Sequence, residues 1–283
     1  MYAHQIIDDL KKDMPKNNSE YIKACSKIIE TINDSQKFYI GEVDKQGIIE
    51  KYTGKQLFND PDQSFIKFPY EKTWIDWQDC SKYPDMDYQK DKIYIKKLGA
   101  LIVTLSNKYH NIFLFNYLKT LNRWILLPIF FNLYYDEEVC NFLTQSAHLN
   151  YLNSIGKKRI KVMTEEATRE LTTINLFIDL LNCKNITTID NPPPKKLNKK
   201  RIKNNKQPLF TFKTLIIKPT GKKQKSTPRG LWENRVHLCR GHFKEFTKEN
   251  PLFGKHTGRY WWQPSARGNS SKGVIEKDYT FET

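Results

Sequence analysis

The sequence predicts an α+β fold: N-terminal helices, mainly antiparallel strands, two mid-chain helices and a C-terminal β module. Three observations carry that expectation. Apolar residues recur at helical spacing between Ile6 and Ile32; short aromatic and β-branched runs bounded by turn residues begin at Lys37; and period-two alternation returns from Leu209, after the break at Asn191-Pro192-Pro193-Pro194. The chain then divides into an α+β domain over 1–190, a basic Pro/Lys linker over 191–207 and a basic β module over 208–283.

In the first helix Ile6, Ile7 and Leu10 share a face, and Pro15 stops it. Asn18 or Ser19 can cap a second helix, on which Tyr21, Ile22, Cys25, Ile28, Ile29 and Ile32 recur and which Asp34-Ser35 ends. Strands are expected over 38–43, 48–52, 65–68, 73–77, 93–95 and 101–105, with Asn59-Asp60-Pro61-Asp62 and Pro84-Asp85 as turns. The stretches 112–118 and 124–135 are apolar enough to be central strands, with hairpin turns at Asn107 or Asn122. Two helices should follow. One covers 137–154 and ends near Gly156; the other covers 165–181, starting from a Thr164 cap with Arg169 and Glu170 on its solvent side. Residues 195–206 hold almost no apolar side chains and read as an extended, solvated arm. Beyond it come a strand over 209–218, paired strands over 235–246 and 258–264, and a last strand over 274–281.

Composition narrows the function. The 283 residues carry a formal charge of +16 and are 39% hydrophobic, which excludes wholesale disorder. Five scattered Cys and no secretion signal fit a reducing cytoplasm. The longest apolar stretch, 125–133, is interrupted by Pro128 and Asn132, so no membrane span is expected. The charge is concentrated: residues 192–268 hold 20 Lys and Arg against Glu233, Glu245 and Glu249, a net +17, while the rest is close to neutral. Such a field draws polyanions, with nucleic acid as the default partner and RNA favoured over DNA. An acidic protein is the other partner class, and 195–206 also reads as a solubilising tail.

The densest chemistry lies in Arg235-Val236-His237-Leu238-Cys239-Arg240-Gly241-His242-Phe243 and in Gly258-Arg259-Tyr260-Trp261-Trp262. On a regular strand His237 and His242 face opposite sides; a bulge at Gly241 would bring them together. Two imidazoles beside guanidinium groups are what metal-free RNA cleavage needs. One removes the 2′-hydroxyl proton, the other protonates the leaving oxygen, and the cations stabilise the phosphoryl charge. The expected catalytic pair is therefore His237 and His242, with Arg235, Arg240, Lys244, Lys255, Arg259, Trp261 and Arg267 binding nucleic acid. No cofactor is expected. A zinc site from His237, Cys239 and His242 lacks a fourth ligand, and two-metal chemistry lacks clustered carboxylates. Dinucleotide, P-loop and nucleophile-elbow motifs are absent. The alternative reading of the same residues is a non-catalytic nucleic-acid-binding regulator or an inhibitor of a host defence system.

The pattern Arg235-x-His237-x-x-Arg240-Gly241-His242-Phe243, then Pro251-Leu252-Phe253-Gly254-Lys255, Trp261-Trp262-x-Pro264-x-x-Arg267-Gly268 and Lys277-Asp278-Tyr279, resembles a family of uncharacterised bacteriophage and mobile-element proteins. It covers about the last fifty residues, with Phe68-Pro69-Tyr70 through Trp77 a weaker upstream echo. The resemblance implies context, a phage or host-conflict gene in a bacterial cytoplasm, and no activity. Family members commonly carry a His where this chain has Ser265. If that His is chemical, this copy is impaired or turns to His256.

Overall fold

The protein is described from a computed structural model covering residues 1–14, 19–43, 68–80, 96–106, 109–135, 140–146, 157–218, 235–239, 242–262, 265–267 and 269–274. The α+β class holds. The chain forms two compact units, one of Met1–Asp179 with Thr188–Leu215, the other of Leu180–Thr187 with Ile216–Thr283.

Unit 1 is built on an eight-stranded mixed sheet of order β6-β5-β4-β3-β2-β1-β8-β7. Its strands are β1 (Gln36–Val43), β2 (Lys72–Asp79), β3 (Lys96–Ser106), β4 (Tyr109–Leu118), β5 (Arg123–Tyr135), β6 (Cys140–Ser146), β7 (Ile186–Asn191) and β8 (Phe212–Ile217). β1 runs parallel to β2 and to β8, whereas β2 through β6 form an antiparallel meander. The β4–β5 hairpin turns at Asn122, whose φ of 50 is tolerated by an Asn in the left-handed region.

Helices α1 (Ala3–Asp13) and α2 (Ser19–Asp34) realise the apolar periodicity of the N-terminus. Ile6, Ile7, Leu10, Ile29 and Ile32 bury against Trp74, Leu101, Phe115 and Trp124 on one sheet face. Ser35 ends α2 by donating its hydroxyl to the carbonyl of Ile32 at 2.8 Å, and the Lys37 ammonium caps the carbonyls of Asn33 and Ser35. Helix α3 (Lys157–Leu181) packs on the opposite face through Leu171, Ile174 and Phe177; the Phe177 ring lies 5.0 Å from that of Phe38. A sheet covered on both faces loses its polar alternation, and β2 accordingly buries five consecutive residues.

Gly99 of β3 lies opposite Asp76, and the Trp74 ring fills the space a side chain there would need: a Cβ would sit 2.6 Å from it. Asp76 is itself fully buried. Its Oδ2 accepts from the Trp74 indole at 2.9 Å and from the Tyr2 backbone at 2.6 Å. Burial raises its carboxyl to about 6.

Several expectations need correction. Residues 140–146, expected within a helix over 137–154, form strand β6, bonded to β5 from Tyr135↔Cys140 to Ile129↔Ser146. Antiparallel pairing with the adjacent 13-residue strand overrides the local helical spacing. Helix α3 begins at Lys157, before Thr164, and Glu170 faces inward at 3% exposure, its carboxylate 3.0 Å from the Lys96 ammonium. Residues 195–203, expected to be extended, form helix α4 (Lys195–Lys203), and β7 was not legible at all. The strands expected over 48–52 and 93–95 and most of 65–68 lie outside the described residues. No described helix is long and apolar enough to cross a membrane.

Candidate nucleic-acid interface

Unit 2 contains two small sheets. One is the antiparallel hairpin of β10 (His242–Phe246) and β11 (Gly258–Trp262). The other joins β9 (Arg235–Cys239) to β12 (Ser265–Arg267) antiparallel and to β13 (Asn269–Val274) parallel. The single strand expected over 235–246 is thus two strands in two sheets, and only its second half pairs with 258–262. His237 lies opposite Arg267 on β12, and Arg235 opposite Asn269 on β13. For Arg235, His237 and Arg267 only these backbone positions are described, and Arg240 lies outside the described residues.

The hairpin register sorts the other candidates by face. Directly opposed residues of an antiparallel pair share a face, and neighbours along a strand alternate. His242 opposes Trp262 and Lys244 opposes Tyr260, so these four share one face with Phe246. Phe243 opposes Trp261 and Glu245 opposes Arg259, and these four make the other. Of the two adjacent indoles, the register therefore sets Trp262 beside His242 and places Trp261, expected to bind nucleic acid, on the opposite face.

Each face pairs a cation with aromatic rings. On the first, the Lys244 ammonium lies 4.8 Å above the Trp262 ring, and Phe246 packs edge-on to Tyr260 and tilted against Trp262 at 5.7 and 5.8 Å. On the second, the Arg259 guanidinium lies 5.9 Å from the Phe243 centroid, and Phe243 sits 4.7 Å from Trp261. Lys244 is exposed, while His242, Phe243, Arg259, Trp261 and Trp262 are half-buried. A half-covered indole with an ammonium above it offers a π-surface and a phosphate partner side by side.

The hairpin is held by Asn185, a residue that no motif in the sequence marks out. Its amide accepts from the Trp261 N–H at 2.9 Å and donates to the Trp261 carbonyl at 2.8 Å, as a neighbouring strand would. Lys184 adds an N–H bond to the Arg259 carbonyl at 2.9 Å, and Lys218 donates to the Asn185 carbonyl at 2.7 Å. Gly258, with φ of 108 and the Lys184 side chain 3.2 Å from where its Cβ would be, lets β11 pass this closely.

Lys255 lies in the connecting loop, closed by reciprocal backbone bonds between Leu252 and His256 of 2.7 and 3.0 Å. Leu252 is buried beneath it, and Phe253 at the tip is 62% exposed with φ of 52. Among the described residues, no three His, Cys, Asp or Glu converge on a point where a metal ion would sit. Against family models, curated proteins and solved structures, the chain finds no match.

Proposed function

We propose that unit 2 is an RNA-binding module whose β10–β11 hairpin stacks an unpaired base on Trp262 and holds the adjoining phosphate with Lys244. The observation that supports this reading is the Lys244 ammonium 4.8 Å over the half-buried Trp262 ring, on the face that also carries His242. Stacking tolerates any base, and lysine supplies a point charge without reading sequence, so recognition is of strand character and charge. The resemblance to phage and mobile-element proteins would place that RNA in a bacterial cytoplasm, where the protein regulates it or blocks a host defence.

Metal-independent cleavage by His237 and His242 is the second reading. One observation favours it: the two residues belong to separate strands in separate sheets, so the opposite-face geometry of a continuous strand does not apply to them. In that mechanism one imidazole takes the 2′-hydroxyl proton and the other protonates the leaving 5′-oxygen. Arg267, opposite His237 in register, belongs to the same strand pair.

Fluorescence anisotropy with a labelled single-stranded RNA, together with gel analysis of the same RNA in EDTA, tests both. Trp262→Ala should weaken binding by about 1–3 kcal/mol, roughly 5- to 150-fold. Trp262→Ala at wild-type affinity sinks the binding site. Wild-type cleavage that disappears in both His237→Ala and His242→Ala establishes the enzyme reading; binding without cleavage leaves a non-catalytic module.

A further inference from the structure

Helix α4 is the most highly charged element of unit 1. Six of its nine residues are Lys or Arg, it carries no acidic residue, and none of it is buried. Its docked side is set by two residues three apart. The Asn198 amide exchanges two hydrogen bonds with the backbone of Leu209, at 2.7 and 3.0 Å. Arg201 donates to the Gln207 carbonyl at 2.6 Å and pairs with Asp8 of α1 at 2.8 Å. The second Asp8 oxygen accepts from the Gln207 N–H at 2.8 Å, so one carboxylate ties α1 to the helix and to the chain leaving it.

Those anchors lie on one side of the helix, and among the described residues no Asp or Glu pairs with its lysines. At 3.6 residues per turn, Lys195, Lys196, Lys199, Lys200 and Lys203 fall within an arc of roughly 140° centred away from Asn198 and Arg201. All five are exposed. Lysines at i and i+4 repel one another along a helix, so this stripe disfavours the helix that carries it. It persists because Asn198 and Arg201 are fixed from outside. Its unfavourable term is relieved by a regular array of negative charge.

We propose that the lysine stripe of α4 is a second, sequence-independent binding surface, taking the phosphate backbone of double-stranded nucleic acid. A duplex presents about one charge per 1.7 Å, and α4 is about 13 Å long, so several phosphates lie within its reach. The stripe has neither aromatic rings nor Arg with which to read bases or anchor a protein partner, which separates it from the hairpin of unit 2 and from an acidic-protein interface. It neither needs nor uses the RNA site proposed above.

The test is anisotropy of full-length protein with a labelled 20-base-pair DNA duplex over a salt series, with unfolding midpoints to show that each variant folds. The triple substitution Lys196→Gln, Lys199→Gln and Lys203→Gln should reduce the slope of log K against log salt by about 2 to 3, while Trp262→Ala leaves that slope unchanged. An unchanged slope in the folded triple variant overturns the proposal. So does loss of polyglutamate binding at unchanged duplex affinity, which would make the stripe an acidic-protein surface. Duplex binding that depends on Trp262 and not on these lysines would move the surface to unit 2.

Discussion

At Gly99 and Asp76 a single side chain decides whether the sheet can close. Trp74, fully buried, fills the space beside Gly99 and hands its indole N–H to Asp76. Gly99→Ala would force a Cβ to 2.6 Å from the ring, and the ring is confined by the packed core of α1 and α2. Overpacking of this kind costs about 1–3 kcal/mol. Urea unfolding should show that loss for Gly99→Ala; a stability equal to wild type would mean that Trp74 repacks at no cost. None of this was legible in the sequence, where no motif or spacing sets Asp76 apart from the aromatic residues around it. The role of Asp76 lies in a contact with Tyr2, 74 residues away.

Among elements, the β10–β11 hairpin is the one whose position depends on a partner of another kind. Two strands alone are marginal in water, and β11 gains its outer neighbour from the side chain of Asn185. Asn185→Ala removes both bonds to the Trp261 backbone. The expected cost is about 1–3 kcal/mol, localised to the hairpin. Hydrogen exchange should show faster exchange of the Trp261 amide with β3 and β4 amides unaffected; unchanged protection at Trp261 would refute the clamp. Helices α1 and α2 were readable from one apolar face at helical period, and strands β1 to β5 from aromatic and β-branched runs bounded by turn residues. Strand β6 was not, since its identity comes from pairing with β5. Helix α4 was misread for a related reason: its sequence has no apolar face, and what folds it is Asp8, nearly two hundred residues earlier. In the candidate interface the residue types were legible, but the register that puts His242 with Trp262 and splits β9 from β10 was not.

For the whole molecule, the buried titratable groups of unit 1 set how stability responds to acid. His4 and His110 are both held near 4, chiefly by burial, against an ordinary value of 6.5. Their unfolded forms bind protons first, so the stability they allow is complete above about pH 6.5 and is lost as the pH falls toward 4. Asp76 has the opposite sign. Its folded carboxyl titrates at about 6 against 3.8, so its contribution is complete below 3.8 and is lost as the pH rises through 6. Near pH 5 two imidazoles outweigh one carboxyl, leaving the unfolded chain about one proton ahead. Stability should then fall by about 1 kcal/mol per pH unit on acidification between pH 6 and 4.5. Asp76→Asn keeps an acceptor for the Tyr2 and Trp74 N–H groups but removes the opposing titration, and should roughly double that slope. Urea midpoints across the window decide the matter: a shallower slope in Asp76→Asn would mean that Asp76 is ionised in the fold and that its burial is offset by charge around it.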